Sequence, residues 1–138
     1  MTKDFLLRLT EEHYGAGAFP IYGRLLEEQR LTRGGPLLPM WYCTAALRRA
    51  FGEDSVLVLG CTNDSLLAHL LGATPVNPLP PHYHCPNCHR LSFDAHADDG
   101  WDLPDLACPE CGTPMAADGH NLRSRSLIGE SVVSLQVP

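Results

Sequence analysis

Two Cys-x-x-Cys pairs constrain this chain more than any other feature. Cys85 and Cys88 form the first, Cys108 and Cys111 the second, and nineteen residues separate them. A two-residue gap lets one tight turn present two sulfurs along an edge of a tetrahedron, and four thiolates at about 2.3 Å satisfy a zinc ion. Both pairs read Cys-Pro-x-Cys, so a proline presets each turn. Gly112 relieves crowding after the second. The spacing predicts structural Zn2+ on Cys85, Cys88, Cys108 and Cys111, within a zinc-ribbon module over residues 82–115. The intervening nineteen residues are expected to run out and back as a short hairpin. Four sulfurs leave no position for water, so such a site is closed rather than hydrolytic. His82, His84 and His89 lie beside the cysteines, which fill the site without them. Iron is the other metal that an all-sulfur set accepts.

The cysteine count points to metal only in a reducing compartment. The opening residues, MTKDFLLRLTEEH, lack the apolar core and cleavage site of a signal peptide. No apolar run approaches the roughly twenty residues of a membrane span. The expectation is a cytoplasmic protein with reduced cysteines and no membrane partner. Net charge is −6 over 138 residues, unevenly spread. Residues 1–76 hold seven basic and eight acidic side chains, whereas residues 77–138 hold three and eight. Nucleic-acid binders usually show the reverse, because phosphate neutralisation dominates their affinity. Arg123 and Arg125 form only a small basic cluster.

Residues 3–12 read as a short helix or an extended entry segment. Residues 20–32 read as a helix with Pro20 in its first turn, Ile21, Leu25 and Leu31 inward, Glu27, Glu28 and Arg30 outward, and Gly34–Gly35 as its stop. The helical pattern is clearest over 39–51, where Met40, Cys43, Leu47, Ala50 and Phe51 share a face. Cys43 then reads as a small buried residue, and Arg48 and Arg49 lie where the helix dipole favours cations. Residues 55–61, SVLVLGC, suit a buried strand. Thr62, Asn63 or Asp64 can cap a helix through SLLAHLL, in which His69 reads as a packing or surface residue. Three prolines in VNPLPPHY impose a stiff, extended connector. The alternation in SVVSLQVP gives a terminal strand with Val133, Leu135 and Val137 on one face. The expected segments are 1–76, a connector at 77–81, the metal module at 82–115, and 116–138.

Catalytic constellations are scarce. Asp98, Asp99 and Asp102 read as a solvated acidic tip, and His120 follows a turn. Neither GxxxxGK[ST] nor GxGxxG occurs. The turn GCTND precedes a helix but has one glycine and no cation, so it is a weak phosphate loop.

The string VNPLPPHYHCPNC, followed by GWDLPDLACPECGTPMAADGHN at 100–121, strongly resembles the PolC-type DNA polymerase III alpha subunit. LTEEHYG, EEQRL and GGPLLPMWYCTAALRRAFGEDSVLVLG extend the resemblance more weakly upstream. The resemblance implies an α+β fold, with a small polymerase-palm-like sheet, packed helices and the four-cysteine zinc ribbon. It also implies that Leu57 to Ser65 stands where the family holds incoming-nucleotide phosphates. Of that motif only Gly60 and Ser65 look retained, while Leu59 replaces an arginine and Asn63 a glycine. The family's next strand carries an Asp-x-Asp pair for two metal ions. SVVSLQVP has no aspartate, and Glu130 is the only acid after Asp118.

The expectation is therefore a non-enzymatic zinc protein related to the polymerase palm. It would act in DNA replication as a binding or scaffold module for nucleic acid or a protein partner. Two alternatives stay open: a nucleotidyltransferase fragment completed by another chain, and self-association through apolar faces.

Overall fold

The computed structural model describes residues 3–15, 18–32, 37–93, 99–122 and 131–135. Gly34, Gly35, Asp98, Arg123, Arg125, Glu130 and Val137 lie outside these, as do the directions of the Val133 and Leu135 side chains. The elements in order are α1 (Lys3–Tyr14), α2 (Phe19–Thr32), α3 (Leu37–Phe51), β1 (Val56–Gly60), α4 (Leu66–Leu71), β2 (His82–His84), β3 (Leu91–Phe93), β4 (Ala116–Asp118) and β5 (Ser131–Leu135). The fold is α+β with small antiparallel sheets. No described helix is long and apolar enough to cross a membrane. The chain divides into two compact units, residues 1–23 with 78–122 and residues 24–77 with 123–138.

In the second unit, β1 pairs antiparallel with β5 from Val56↔Leu135 to Gly60↔Ser131. Val56 and Val58 are buried and Leu57 is exposed, the alternation that a one-sided ribbon requires. α3 buries Trp41, Thr44, Ala45 and Arg48. The expected face of Met40, Cys43, Leu47 and Phe51 is not the inner one: Cys43 is exposed and Phe51 is 58% exposed. The buried polar atoms on the true face all find partners. Trp41 Nε1 donates to Thr62 Oγ1 at 3.0 Å, and Arg48 donates to the Gly72 carbonyl at 2.7 Å. Gly72, at φ 89, is the left-handed cap that ends α4.

The start of α4 also differs from expectation. Cys61–Asp64 forms a 3-10 turn, and the capping residue is Ser65, whose Oγ accepts from the Ala68 amide. A carboxylate reinforces this cap. Glu28, assigned outward from its charge, is fully buried. Its oxygens accept from Ser65 Oγ at 2.7 Å, Leu66 N at 2.9 Å and Leu67 N at 3.0 Å. Arg24 Nε donates to it at 2.7 Å, and the same guanidinium reaches the Asp64 carbonyl at 2.9 Å. A buried anion is tolerable here because helix amides and a cation surround it.

In the first unit, α1 buries Leu6, Leu9, Thr10 and Tyr14. A three-stranded antiparallel sheet has the order β3-β2-β4. The proline connector runs without helix or strand until β2 begins at His82. Its carbonyls are paired: Leu122 N donates to Pro78 O at 2.8 Å and Asn121 N to Leu79 O at 2.9 Å. Gly119, at φ 103, sits so close that a Cβ there would lie 2.4 Å from the Pro80 carbonyl oxygen.

Candidate metal centre

Each cysteine pair lies in a turn whose backbone the other repeats. Cys85 N donates to Arg90 O at 2.9 Å, and Cys108 N donates to Thr113 O at 2.8 Å. His89 N returns to Cys85 O at 3.0 Å, and Gly112 N returns to Cys108 O at 2.8 Å. The residue after each second cysteine is left-handed, His89 at φ 64 and Gly112 at φ 75. Glycine fits that position freely and histidine does not, so His89 is held there by its surroundings. The first turn joins β2 to β3, which pair through His84↔Leu91. The second is closed by the Ala107↔Pro114 bridge and leads into β4. The expected hairpin within the nineteen-residue segment is not what the described residues show. Its only strand among them, β3, pairs back onto β2, the strand that also receives β4.

These turns bring Cys85, Cys88, Cys108 and Cys111 together, with all four sulfurs within 4.8 Å of one another. Cys85 and Cys111 Sγ lie 3.4 Å apart, Cys88 and Cys108 3.5 Å, and Cys88 and Cys111 3.8 Å. Cys88 N donates to Cys85 Sγ at 3.4 Å, the amide-to-sulfur contact that such a turn offers. Four cysteines so placed can hold a metal ion. Cys85 and Cys108 are buried, while Cys88 and Cys111 are exposed, which gives an ion a way in.

The thiols ionise unequally. Hydrogen bonds from the Thr113 hydroxyl and amide, with help from Asn87 and Cys85, lower Cys111 to about 6. The Arg90 backbone favours the Cys88 thiolate too, but hydrogen bonding with Cys108, Cys85 and Cys111 outweighs it and pushes Cys88 up to about 12. One sulfur is thus a ready anion and another resists becoming one. A dication held by the four sulfurs would reverse that resistance, because each thiolate would then face positive charge.

The neighbouring histidines have other roles. His82 is buried, with Nδ1 2.8 Å from the Pro80 carbonyl and its ring against Tyr14 and Phe93. His84 packs against Tyr14 and His89. None of the three enters the ligating group found among the described residues.

The other two residues singled out by sequence, Gly60 and Ser65, lie in the second unit. Gly60 ends β1 opposite Ser131. Ser65 is buried, with its hydroxyl engaged between Ala68 N and Glu28. Asn63 donates from Nδ2 to Val58 O at 2.9 Å and accepts from Thr74 Oγ1. Sequence reasoning missed Glu28; the one local signal was its i,i+4 spacing from Arg24.

No family model matches the chain. Curated relatives do. A DNA polymerase III PolC-type from Latilactobacillus sakei is 39% identical over 132 residues, covering 92% of this chain and 9% of the relative. The Ureaplasma parvum protein of the same name is 49% identical over 131 residues, covering 93% and 9%. That from Bacillus subtilis is 47% identical over 81 residues, covering 56% and 6%. The chain thus spans about 9% of the length of the first two.

Proposed function

Since this chain is a homologue of part of PolC-type DNA polymerase III, we propose that it is a zinc-stabilised, non-catalytic binding module of the DNA replication machinery. One observation carries the reading. The four sulfurs already form a closed set, with separations of 3.4–3.8 Å between the closest pairs. A tetrahedral zinc with bonds of about 2.3 Å requires sulfurs about 3.8 Å apart. The two matching turns on one three-stranded sheet support a zinc ribbon. The metal would be structural, contributing on the order of ten kcal/mol to folding. The second unit, in this reading, is a remnant of the palm.

The surroundings of Gly60 and Ser65 support the non-catalytic part. The Ser65 hydroxyl and the Leu66 and Leu67 amides donate to Glu28, so a phosphate would have to displace an internal carboxylate. Asn63 braces β1 instead of leaving the turn open.

Native mass spectrometry should find one zinc per chain. Chelation, or Cys108→Ser, should unfold residues 82–115. A zinc-free chain with an unchanged melting curve would show the structural-metal reading to be wrong. Primer extension with Mg2+ or Mn2+ should give no incorporation; incorporation would establish the nucleotidyltransferase alternative. A gel shift across a salt series separates the two partner classes, since salt-steep binding marks nucleic acid.

A further inference from the structure

The backbone that carries Trp101 is clamped on every side. Trp101 N donates to Asp99 Oδ1 at 2.9 Å, and Asp99 Oδ2 lies 2.8 Å from His120 Nδ1. Gly100 N donates to Gly119 O at 2.7 Å. A Cβ on Gly100 would sit 2.0 Å from the Asp118 carbonyl oxygen, so no side chain fits there. The His120 ring meets the indole edge-on, with centroids 4.8 Å apart. Yet Trp101 is 79% exposed, more than any other large apolar side chain described. The fold orders the largest of its side chains and leaves it in water. Beside it opens a cleft of about 490 Å3, lined by Tyr83, Leu103, Pro104, Asp105, Met115 and Ala117. Leu106, next to its rim, is 47% exposed.

Charge identifies the occupant. Residues 99–122 hold Asp99, Asp102, Asp105, Glu110 and Asp118, and no lysine or arginine. Arg90, the only lysine or arginine from 78 to 122, pairs with Glu110 at 2.9 Å. A nucleic acid base can stack on an exposed indole, but its phosphates would meet carboxylates here and gain nothing. A cation gains twice, from the face of the indole and from the carboxylates. A pre-ordered tryptophan also spares the entropy of fixing a side chain on binding.

We propose that this cleft binds a cationic protein segment, with an arginine or lysine over Trp101 beside Asp105 and an adjoining apolar side chain in the cleft. The inference rests on the reading of the chain as a binding module and names the chemistry of its partner.

The test uses the full chain and three labelled probes: an eight-residue peptide alternating Arg and Leu, its Glu-Leu counterpart, and a twelve-nucleotide oligo-dT. Fluorescence anisotropy gives affinity, and 15N-resolved NMR separates the two indole N–H signals. The Arg-Leu peptide should bind saturably and move the Trp101 signal while leaving Trp41 in place. Trp101→Ala should weaken it about fivefold and Asp105→Asn about threefold. Both positions are exposed, so both variants should fold. The Glu-Leu peptide and oligo-dT should leave the Trp101 signal unmoved. The proposal is overturned by equal affinity for Trp101→Ala, by no binding of the Arg-Leu peptide, or by oligo-dT moving the Trp101 signal. Zinc content of the same sample is read in parallel, so a failure here is distinguishable from a failure of the metal reading.

Discussion

Truncating Glu28 to alanine tests the least expected feature of the second unit. The carboxylate is fully buried and takes four donors: Ser65 Oγ, Leu66 N, Leu67 N and Arg24 Nε. Alanine leaves the amides of Leu66 and Leu67, themselves 0% and 1% exposed, without their acceptor. Each buried donor stranded in this way costs about 1–3 kcal/mol. Removing one member of a buried ion pair costs about 3–5 kcal/mol, and the Arg24 side chain that remains is only 15% exposed. These costs overlap, because water entering the gap relieves the amides and the guanidinium together. The expected loss is about 4 kcal/mol, about 14 °C in melting temperature for a chain of this size. Urea unfolding followed by tryptophan fluorescence in a Trp101→Phe background reads the second unit directly, since Trp41 is buried there. Glu28→Gln is the sharper control. It preserves shape but turns an NH2 toward amide donors, so it should lose about 2 kcal/mol although no cavity forms. A double-mutant cycle with Ser65→Ala should give less than the sum of the single losses. If Glu28→Ala costs under about 1 kcal/mol, or Glu28→Gln is neutral, the carboxylate does not hold α4 in place.

Three further outcomes follow from the geometry. Gly100→Ala should destabilise the first unit by about 3 kcal/mol, because its Cβ meets Asp118 backbone that cannot swing aside; unchanged chelator-free melting would contradict the clamp. Arg48→Met should cost about 1–3 kcal/mol in urea unfolding by leaving the Gly72 carbonyl without its donor, and equal stability would mean that water replaces it. Burial holds the His82 imidazole below its ordinary value of 6.5, against weaker raising effects from the Pro80 carbonyl and Asp118. The folded state therefore binds fewer protons than the unfolded state just below pH 6.5, and the His82 contribution to stability is lost as pH falls through that window. An NMR titration should place the His82 midpoint below 6.5, and a midpoint at or above it would refute the sign.

What was legible in the sequence followed from how local each determinant is. Both cysteine turns are set by residues at most five apart, so spacing alone located the metal cluster. The matching left-handed position was visible at Gly112 and hidden at His89, because only glycine signals such a backbone in advance. In α3 the helical period was readable but its phase was not. Counting apolar residues favours Met40, Cys43, Leu47 and Phe51, whereas the protein buries Trp41, Thr44, Ala45 and Arg48. That phase needs acceptors for an indole and a guanidinium, and these come from Thr62 and Gly72, 21 and 24 residues away. Glu28 is the same case at greater range, with partners 37 to 39 residues distant. A charged residue on a helix reads as solvent-facing until its partners are in place. The consequence reaches the proposed function. The resemblance implies a turn at Leu57–Ser65 without its phosphate-binding residues, and only the fold shows how Asn63 and Glu28 are employed there. Both make hydrogen bonds that hold the turn together, so Asn63→Gly should weaken the unit whether or not it confers any affinity for phosphate.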